Sequence, residues 1–252
     1  MCETPIGEIA LTNDLDSYLA AYGEGFGYVF DNNIMLNWYP ERIMRLCQNS
    51  NSLLELGIGH GYTTQRFSEY FSRHVAIDGS MSIIEQFHHQ FPTCQATVVQ
   101  AYFEDFTSEE SFDVIVLGFV LEHVADPGEI LRKYKKFLAP GGRCFVAVPN
   151  GQSLHRRFGH AAGLLGDMMA LGRGDLELGH ERLYSVDSLS DELEQAGYRI
   201  ERKEGIFLKP LMTAQLQSLQ LDQKIIQAMC EVGIDYPELS CALLFEAKVE
   251  GN

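Results

Sequence analysis

Leu53-Leu54-Glu55-Leu56-Gly57-Ile58-Gly59-His60-Gly61 is the stretch on which the reading of this chain turns. An apolar run holding one acid gives way to three glycines at alternate positions, and a polar, helix-compatible stretch follows. That pattern describes a buried strand, a tight turn and a helix whose N-terminus faces a ligand. Glycine suits such a turn because it reaches positive φ and lets the backbone approach a bound molecule. A second acid narrows the ligand. Asp78 closes the apolar stretch Val75-Ala76-Ile77 and lies 23 residues beyond Glu55. An acid about 20 residues downstream, at the tip of the next parallel strand, is placed to grip a ribose diol. The chain is therefore expected to hold a nucleoside-containing cofactor.

Outward from this stretch, strands and helices alternate. Short apolar runs predict strands at 52–57, 74–78, 96–101, 112–118 and 143–149, with helices at 61–71, 81–91 and 127–138. Asp126 offers an N-cap before Pro127, which suits a first helical turn. Pro140-Gly141-Gly142 reads as a stop followed by a turn. Such alternation predicts an α/β fold, a mostly parallel sheet with helices on both faces. Pro149-Asn150 ends the rhythm. Residues 150–184, with glycines, the pair Arg156-Arg157 and the run Leu164-Leu165-Gly166-Asp167-Met168-Met169, read as a helical cap beside the carboxyl edge of the sheet. A helix at 186–196 closed by Gly197, a strand from Tyr198 to about Leu208, a helical insertion at 213–232 within 209–238, and a last strand from Ala242 to Val249 complete the chain. Residues from about 13 to 48 read as helical and aromatic-rich, and Gly23, Gly25 and Gly27 predict short helices or a mobile cover there rather than one long rod. The expected organisation is a lid at 1–48 followed by a cofactor-binding domain at 49–252.

Composition sets outer bounds. In 252 residues, 46% are hydrophobic and 21% charged, as in ordinary soluble globular proteins. The formal charge of −16 argues against a nucleic-acid partner, because phosphate binding needs clustered Lys and Arg. No window approaches the roughly 18 uninterrupted apolar residues of a membrane span. The N-terminus lacks the positive and apolar segments of a signal peptide. Six cysteines without a C-x-x-C pair fit reduced thiols, so a cytoplasmic location is expected.

Two classes of cofactor use this architecture. Dinucleotide oxidoreductases favour G-x-G-x-x-G, whose third glycine lets helix pack on strand. Here the spacing is G-x-G-x-G, and Tyr62 occupies that third position. A carboxylate at the base of the turn, Glu55, suits a cationic amine better than a diphosphate. The combination favours S-adenosylmethionine, with an NAD(P)-dependent oxidoreductase and a catalytically silent S-adenosylmethionine-binding protein as rivals.

Further stretches carry a resemblance. Phe112-Asp113-Val114-Ile115-Val116 leads into Leu121-Glu122-His123-Val124-Ala125-Asp126-Pro127, and Leu138-Ala139-Pro140-Gly141-Gly142 follows. With the glycine turn and Asp78, these make residues 50–150 resemble the class I S-adenosylmethionine-dependent methyltransferases, of the small-molecule branch that includes ubiquinone-type O-methyltransferases. The resemblance implies a Rossmann-like, seven-stranded sheet. It implies that Glu55, Gly57, Gly59 and Gly61 hold the methionine moiety and that Asp78, followed by Gly79, binds the ribose. It further implies that Met81 packs on adenine, Phe103 and Glu104 recognise the base, and Leu117 and Gly118 flank the sulfonium. Gly79 stands where a larger apolar residue is usual, and Tyr102 where an acid is common.

The expected reaction is methyl transfer to an oxygen or nitrogen of a small-molecule acceptor of secondary-metabolite, quinone or sugar type. A general base is required when the acceptor pKa lies well above ambient pH. His123, just after the fourth strand, and His180, in the segment returning from the cap, are the catalytic candidates. Relatives with a divalent ion use E-x-x-E-H and a later His. Here Phe119 replaces the first acid, which weakens a hard-cation site, so no metal is expected. Arg156 and Arg182 are candidates to clamp an anionic group on the acceptor. Tyr22, Phe26, Trp38 and Tyr184 are candidates to line its pocket. A homodimer is left open.

Overall fold

The computed structural model describes residues 29–249. Its sheet has seven strands: β1 (Ser52–Leu56), β2 (Arg73–Asp78), β3 (Thr97–Gln100), β4 (Phe112–Gly118), β5 (Leu138–Pro149), β6 (Tyr198–Ile206) and β7 (Ala242–Val249). Their order is β3-β2-β1-β4-β5-β7-β6. The first five pair in parallel, while β7 runs antiparallel to both β5 and β6. The order reverses between β1 and β4, which opens a crevice at their carboxyl ends, where ligands bind in open α/β sheets.

The central strands are apolar on both faces, as a sheet covered twice requires. Along β4, Ile115 and Leu117 face one core and Val114 and Val116 the other. The first core is closed by α4 (Pro127–Tyr134) and α7 (Val186–Gln195) through Ile130, Leu131, Leu189 and Leu193. The second is closed by α1 (Val29–Leu46), α2 (Tyr62–Tyr70) and α9 (Gln223–Gly233) through Tyr39, Ile43, Phe67, Ile226 and Cys230. A smaller cluster seats α3 (Met81–Gln90) on Ala76 through Ile83, Ile84 and Phe87.

Local chemistry sets the helix ends. Asp126 accepts from the Glu129 N–H at 2.8 Å with Pro127 opening α4, and Ser80 accepts from the Ile83 N–H at 3.2 Å at the start of α3. Gly197, at φ +82°, closes α7.

Several predicted boundaries shift. Helix α4 ends at Tyr134, a 3-10 turn covers Lys135–Phe137, and β5 begins at Leu138 rather than after the glycines. The reason is pairing: Leu138 already faces Phe112, the register then shifts, and Arg143 faces Val114. Gly142 is pressed against the carbonyls of Ala139 and Phe112, so no Cβ fits there. The insertion at 213–232 splits into α8 (Thr213–Ser218) and α9, with Gln220 at φ +48° between them. Positive φ at Phe207 ends β6 at Ile206. Within 1–48, the described residues form one 18-residue helix that runs through Pro40, while Gly23, Gly25 and Gly27, on which the expectation of short helices rests, lie outside the described residues. Pro40 and its neighbours Trp38 and Tyr39 are buried, so packing outweighs the lost backbone bond. The cap contributes α5 (Leu154–Ala161) and the short α6 (Arg173–Glu177). Leu164, in its Met-rich stretch, is 86% exposed and belongs to neither core.

Candidate functional site

The glycine turn joins β1 to α2 across the crevice. Gly57, Gly59 and Gly61 all have positive φ, of 78°, 53° and 78°. Gly57 N–H donates to the Ile77 carbonyl at 2.8 Å, and Gly61 N–H to the Ile58 carbonyl at 2.9 Å. The glycines serve different ends. A Cβ on Gly61 would meet the Phe87 and Phe91 rings at 2.6 and 2.7 Å, so this glycine lets the turn pack on α3. A Cβ on Gly57 would stand 3.4 Å from Val120 and 3.9 Å from Phe103, on the side facing the β4 tip.

Asp78 braces the turn. Its carboxylate accepts from the Ile58 N–H and the Ser80 N–H, each at 2.9 Å. Burial pushes its pKa up, against the opposing N–H groups of Ser80, Ile58 and Gly59. The half-buried carboxylate ends β2 beside the turn, and two oxygens carry more lone pairs than these bonds consume. A ribose diol fits that capacity. Met81, 44% exposed, opens α3 three residues later, next to the buried Gly79. Phe103 is half-buried against the first core and its carbonyl accepts from the Tyr134 hydroxyl at 3.0 Å; Glu104 is exposed. Leu117 is fully buried in the core, so only its backbone reaches the β4 tip.

Glu55 behaves differently from a ligand-facing acid. Alternation along β1 turns it to the face of Leu53, beneath α1 and α2, where it is 1% exposed. Its Oε1 accepts from the Thr63 hydroxyl at 2.8 Å. Its Oε2 lies 3.1 Å from His74 Nε2, at an angle too poor for a hydrogen bond. Tyr39 places its hydroxyl against Gly118, and burial, then the charge of Glu55, raise its pKa. A Cβ on Gly118 would sit 2.3 Å from Tyr39 Oη.

On the other side of the β4 tip, the turn after Phe119 (φ +59°) meets the strap returning from the cap. Glu181 N–H donates to the Glu122 carbonyl at 2.8 Å. The His123 and His180 rings stand edge to face with centroids 4.8 Å apart. Glu122 is fully buried and neither carboxylate oxygen has a hydrogen-bond partner, so burial pushes its pKa up to about 7. Burial, and then the charge of His180, pushes His123 down to about 4. Behind His180 stands Asp175, on α6 and 7% exposed, with Oδ1 3.5 Å from His180 Nδ1. Burial works to raise Asp175, but contacts with His180 and the Gly172 N–H, and the Arg156 charge, outweigh it and hold the carboxyl low. Glu122, His123 and His180 each offer a ligand atom within 4.8 Å of the others. One carboxylate and two imidazoles make a donor set suited to a first-row transition ion rather than to Mg²⁺ or Ca²⁺.

The acceptor-side candidates resolve into scaffold. Arg156 donates to the Met168 and Ala170 carbonyls at 2.8 and 2.6 Å, bracing the cap. Arg182 donates to the carbonyls of Leu121, Val124 and Ala125, clamping the turn that carries His123. Tyr184, 2% exposed, joins the first core, and its hydroxyl lies 3.4 Å from both the Leu121 carbonyl and Glu192. Trp38 is 8% exposed within the second core. Tyr22 and Phe26 lie outside the described residues. Asp175 and Thr63 went unnoticed in the sequence, since nothing in a linear pattern marks which polar residue will stand behind a histidine or beside a buried acid.

Known proteins resemble this chain in sequence and in fold. Residues 35–203, well over half of the chain, match the methyltransferase domain family. The ubiquinone biosynthesis O-methyltransferase of Caulobacter vibrioides is 36% identical over 103 residues, covering 39% of this chain and 41% of that protein. The cypemycin N-terminal methyltransferase of a Streptomyces species is 23% identical over 151 residues, 58% of each chain. The chain thus spans from about two fifths to under two thirds of the length of these curated relatives. Among solved structures, the N-methyltransferase NodS of Bradyrhizobium japonicum, in complex with S-adenosylhomocysteine, shares the fold. Its TM-score is 0.60 at 14% identity, over 94% of this chain and 98% of that one. Among the described residues no helix is long and apolar enough to cross a membrane. The chain belongs to the methyltransferase domain family and is a class I, S-adenosylmethionine-dependent member of it.

Proposed function

We propose that this protein transfers a methyl group from S-adenosylmethionine to an oxygen or nitrogen atom of a small-molecule acceptor, of secondary-metabolite, quinone or sugar type. The observation that carries the reading is the left-handed Gly57–Gly61 turn tied to Asp78 by the Ile58 N–H, at the reversal of strand order. The cofactor, when bound, supplies a methyl group already activated on a sulfonium. What remains for the chain is to bind, orient and exclude water. Asp78 takes the ribose, the backbone of residues 57–61 the methionine portion, and Met81, Phe103 and Glu104 the adenine. Leu117 and Gly118 flank the sulfonium through their backbone. His123, neutral at pH 7 with a pKa of about 4, is a weak proton acceptor. The base is therefore His180, with Asp175 behind it. The cap at 150–184, the insertion at 209–238 and the segment 1–48 act as the lid. Similarity to ubiquinone O-methyltransferases supports a quinone-like acceptor, and similarity to the cypemycin enzyme supports nitrogen. The free thiols among the described residues fit a cytoplasmic location. The net charge of −16 disfavours nucleic acid.

Calorimetry tests the cofactor: S-adenosylmethionine and S-adenosylhomocysteine bind and NADH does not, and the reverse result overturns the reading in favour of an oxidoreductase. Turnover across an acceptor panel then separates an enzyme from a silent binder. His180→Ala is expected to cut the rate on the best acceptor by about a hundredfold or more. Unchanged rates in both His180→Ala and His123→Ala would remove base catalysis and leave proximity as the mechanism.

A second reading is favoured by the unpartnered Glu122 carboxylate beside two imidazoles. In it, Glu122, His123 and His180 would hold a divalent ion, which would supply Lewis-acid polarisation of the acceptor. Metal analysis of the purified protein, and turnover before and after chelation, decide between the two.

A further inference from the structure

The arginines and Tyr184 that the sequence offers to the acceptor are consumed by the scaffold, but a polar cluster at the carboxyl edge of β5 and β6 is not. Phe207, fully buried, takes φ +60° directly after β6. A bulky residue in that left-handed region is strained, and such strain gathers at functional sites. Two residues later Lys209, 3% exposed, donates to Asp31 Oδ2 on α1 at 2.5 Å and to Thr213 Oγ1 at 3.0 Å. Thr213 Oγ1 donates to the same Oδ2 at 2.6 Å. Asp31 is 5% exposed, and while its Oδ2 takes two donors its Oδ1 takes none. A buried carboxylate oxygen without a donor costs stability unless a ligand meets it. The ammonium has three N–H groups, and these two bonds leave it one more to give. Burial, then the charges of Lys209 and Arg156, push His155 on α5 down to about 3, so that imidazole is neutral. Its Nδ1 lies 3.2 Å from Ser153 Oγ and 3.9 Å from Cys241 Sγ, where α5 meets the approach to β7.

Resting on the methyl-transfer reading above, we propose that Asp31 and Lys209 recognise an uncharged hydroxyl group of the acceptor, at the end remote from the methylated atom. Asp31 Oδ1 accepts the hydroxyl proton, and the remaining N–H of Lys209 donates to the hydroxyl oxygen. Thr213 is a positioning residue that holds Oδ2 and so aims the carboxylate. Charge does the selecting. The carboxylate and the ammonium cancel, and His155 adds nothing, so a cation meets Lys209 and an anion meets Asp31 with no counter-charge left over. An ether brings no proton to Oδ1. Length selects as well. Tyr39 reaches Gly118 at the β4 tip, and Asp31 lies eight residues earlier on α1, about 12 Å along a helix axis. The acceptor therefore spans more than a single ring.

The test uses the whole chain loaded with S-adenosylhomocysteine and two-ring probes that differ at one end. These are 4,4′-dihydroxybiphenyl, its monomethyl ether, and the analogues in which one hydroxyl is replaced by a carboxylate or by an aminomethyl group. By calorimetry the diol is expected to bind at least about tenfold more tightly than each of the other three. Asp31→Leu/Lys209→Met removes both charges together, so neither is left buried alone and the fold is kept. This double variant is expected to hold S-adenosylhomocysteine within about twofold of wild type and to bring the four probes within about threefold of one another. Thr213→Val, which keeps both charges, is expected to weaken the diol by about threefold and leave the ether unchanged. Wild-type protein that ranks the ether or a charged probe with the diol, or binds none of the four, would overturn the proposal. So would a folded double variant that keeps the wild-type ranking. Wild-type protein that failed to take up S-adenosylhomocysteine would instead remove the cofactor reading, at the loading step and before any probe is added.

Discussion

The two halves of the crevice are built by opposite strategies. On the β1–β2 side, the turn 57–61, Asp78 and the start of α3 are joined by backbone N–H groups over short spans of chain. On the β4–β5 side, His123 meets His180 only because a cap of more than twenty residues leaves the sheet and returns. Three guanidinium-to-carbonyl contacts from Arg182 then hold the turn between them. In the first half, backbone N–H groups satisfy the Asp78 carboxylate at the turn. The second keeps a buried carboxylate with no partner, a state that costs stability unless a ligand, a proton or an ion relieves it. A common donor needs a standard cradle, whereas an acceptor demands an individual one.

The largest effect is expected where the donor half is cut. Asp78→Ala removes the acceptor of two backbone N–H groups as well as the ribose partner. Loss of charge-assisted bonds worth about 1.5–3 kcal/mol each predicts a fall in S-adenosylhomocysteine affinity of about a hundredfold or more. Arg156→Ala, a cap brace on the other half, should leave that affinity within about threefold. Equal losses in calorimetry would mean that the two halves are not separable.

A smaller effect tests why the turn needs glycine. Gly61→Ala puts a Cβ at φ +78° and within 2.7 Å of the rings of Phe87 on α3 and Phe91 just past its end. Left-handed strain of about 1–2 kcal/mol and overpacking together predict a loss of about 3 kcal/mol, read as a melting temperature lowered by about 10 °C. Gly141→Ala shares the left-handed conformation, at φ +73°, but meets nothing within 4 Å, so only about 1 kcal/mol should be lost. Equal shifts would show that conformation, not packing on α3, governs the turn.

The same contrast explains what the sequence disclosed. Short, continuous apolar runs and glycine punctuation predict the strands and a mostly parallel sheet, because every central strand is buried on both faces and shows it in its composition. Asp78 and the glycines are legible because their roles depend on spacing along the chain. The contact of Tyr39 with Gly118 is not, since it forms across the fold, and Trp38 beside it belongs to the second core. Arg156 and Arg182 look like anion clamps in a sequence. Only the fold reveals that main-chain carbonyls in the cap and the turn consume their donors. Helix α1 runs through Pro40 because tertiary burial there offsets the lost backbone bond.

A more modest effect than that of Gly61→Ala is expected at the unpartnered carboxylate. Glu122 has an ordinary pKa of 4.5 when unfolded and about 7 in the fold, so the native state holds its proton more tightly than the unfolded chain does. Its contribution is therefore intact below about pH 4.5 and is lost as pH rises through 7. The shift sets a ceiling of about 3 kcal/mol, and relaxation of the buried site makes about 2 kcal/mol a fair expectation. Glu122→Gln, similar in shape and uncharged, should melt above wild type by several degrees at pH 8 and level with it at pH 5, with chelator in both buffers. His123, lowered to about 4, adds a separate loss as pH falls through 6.5, common to both proteins. Repeating the pH 8 melt with Mn²⁺ or Zn²⁺ and no chelator extends the comparison. A rise in wild type that Glu122→Gln lacks would assign the carboxylate to an ion. A variant no more stable than wild type at pH 8 under chelation would mean that the acceptor half is as well satisfied as the donor half, and the contrast between them would fail.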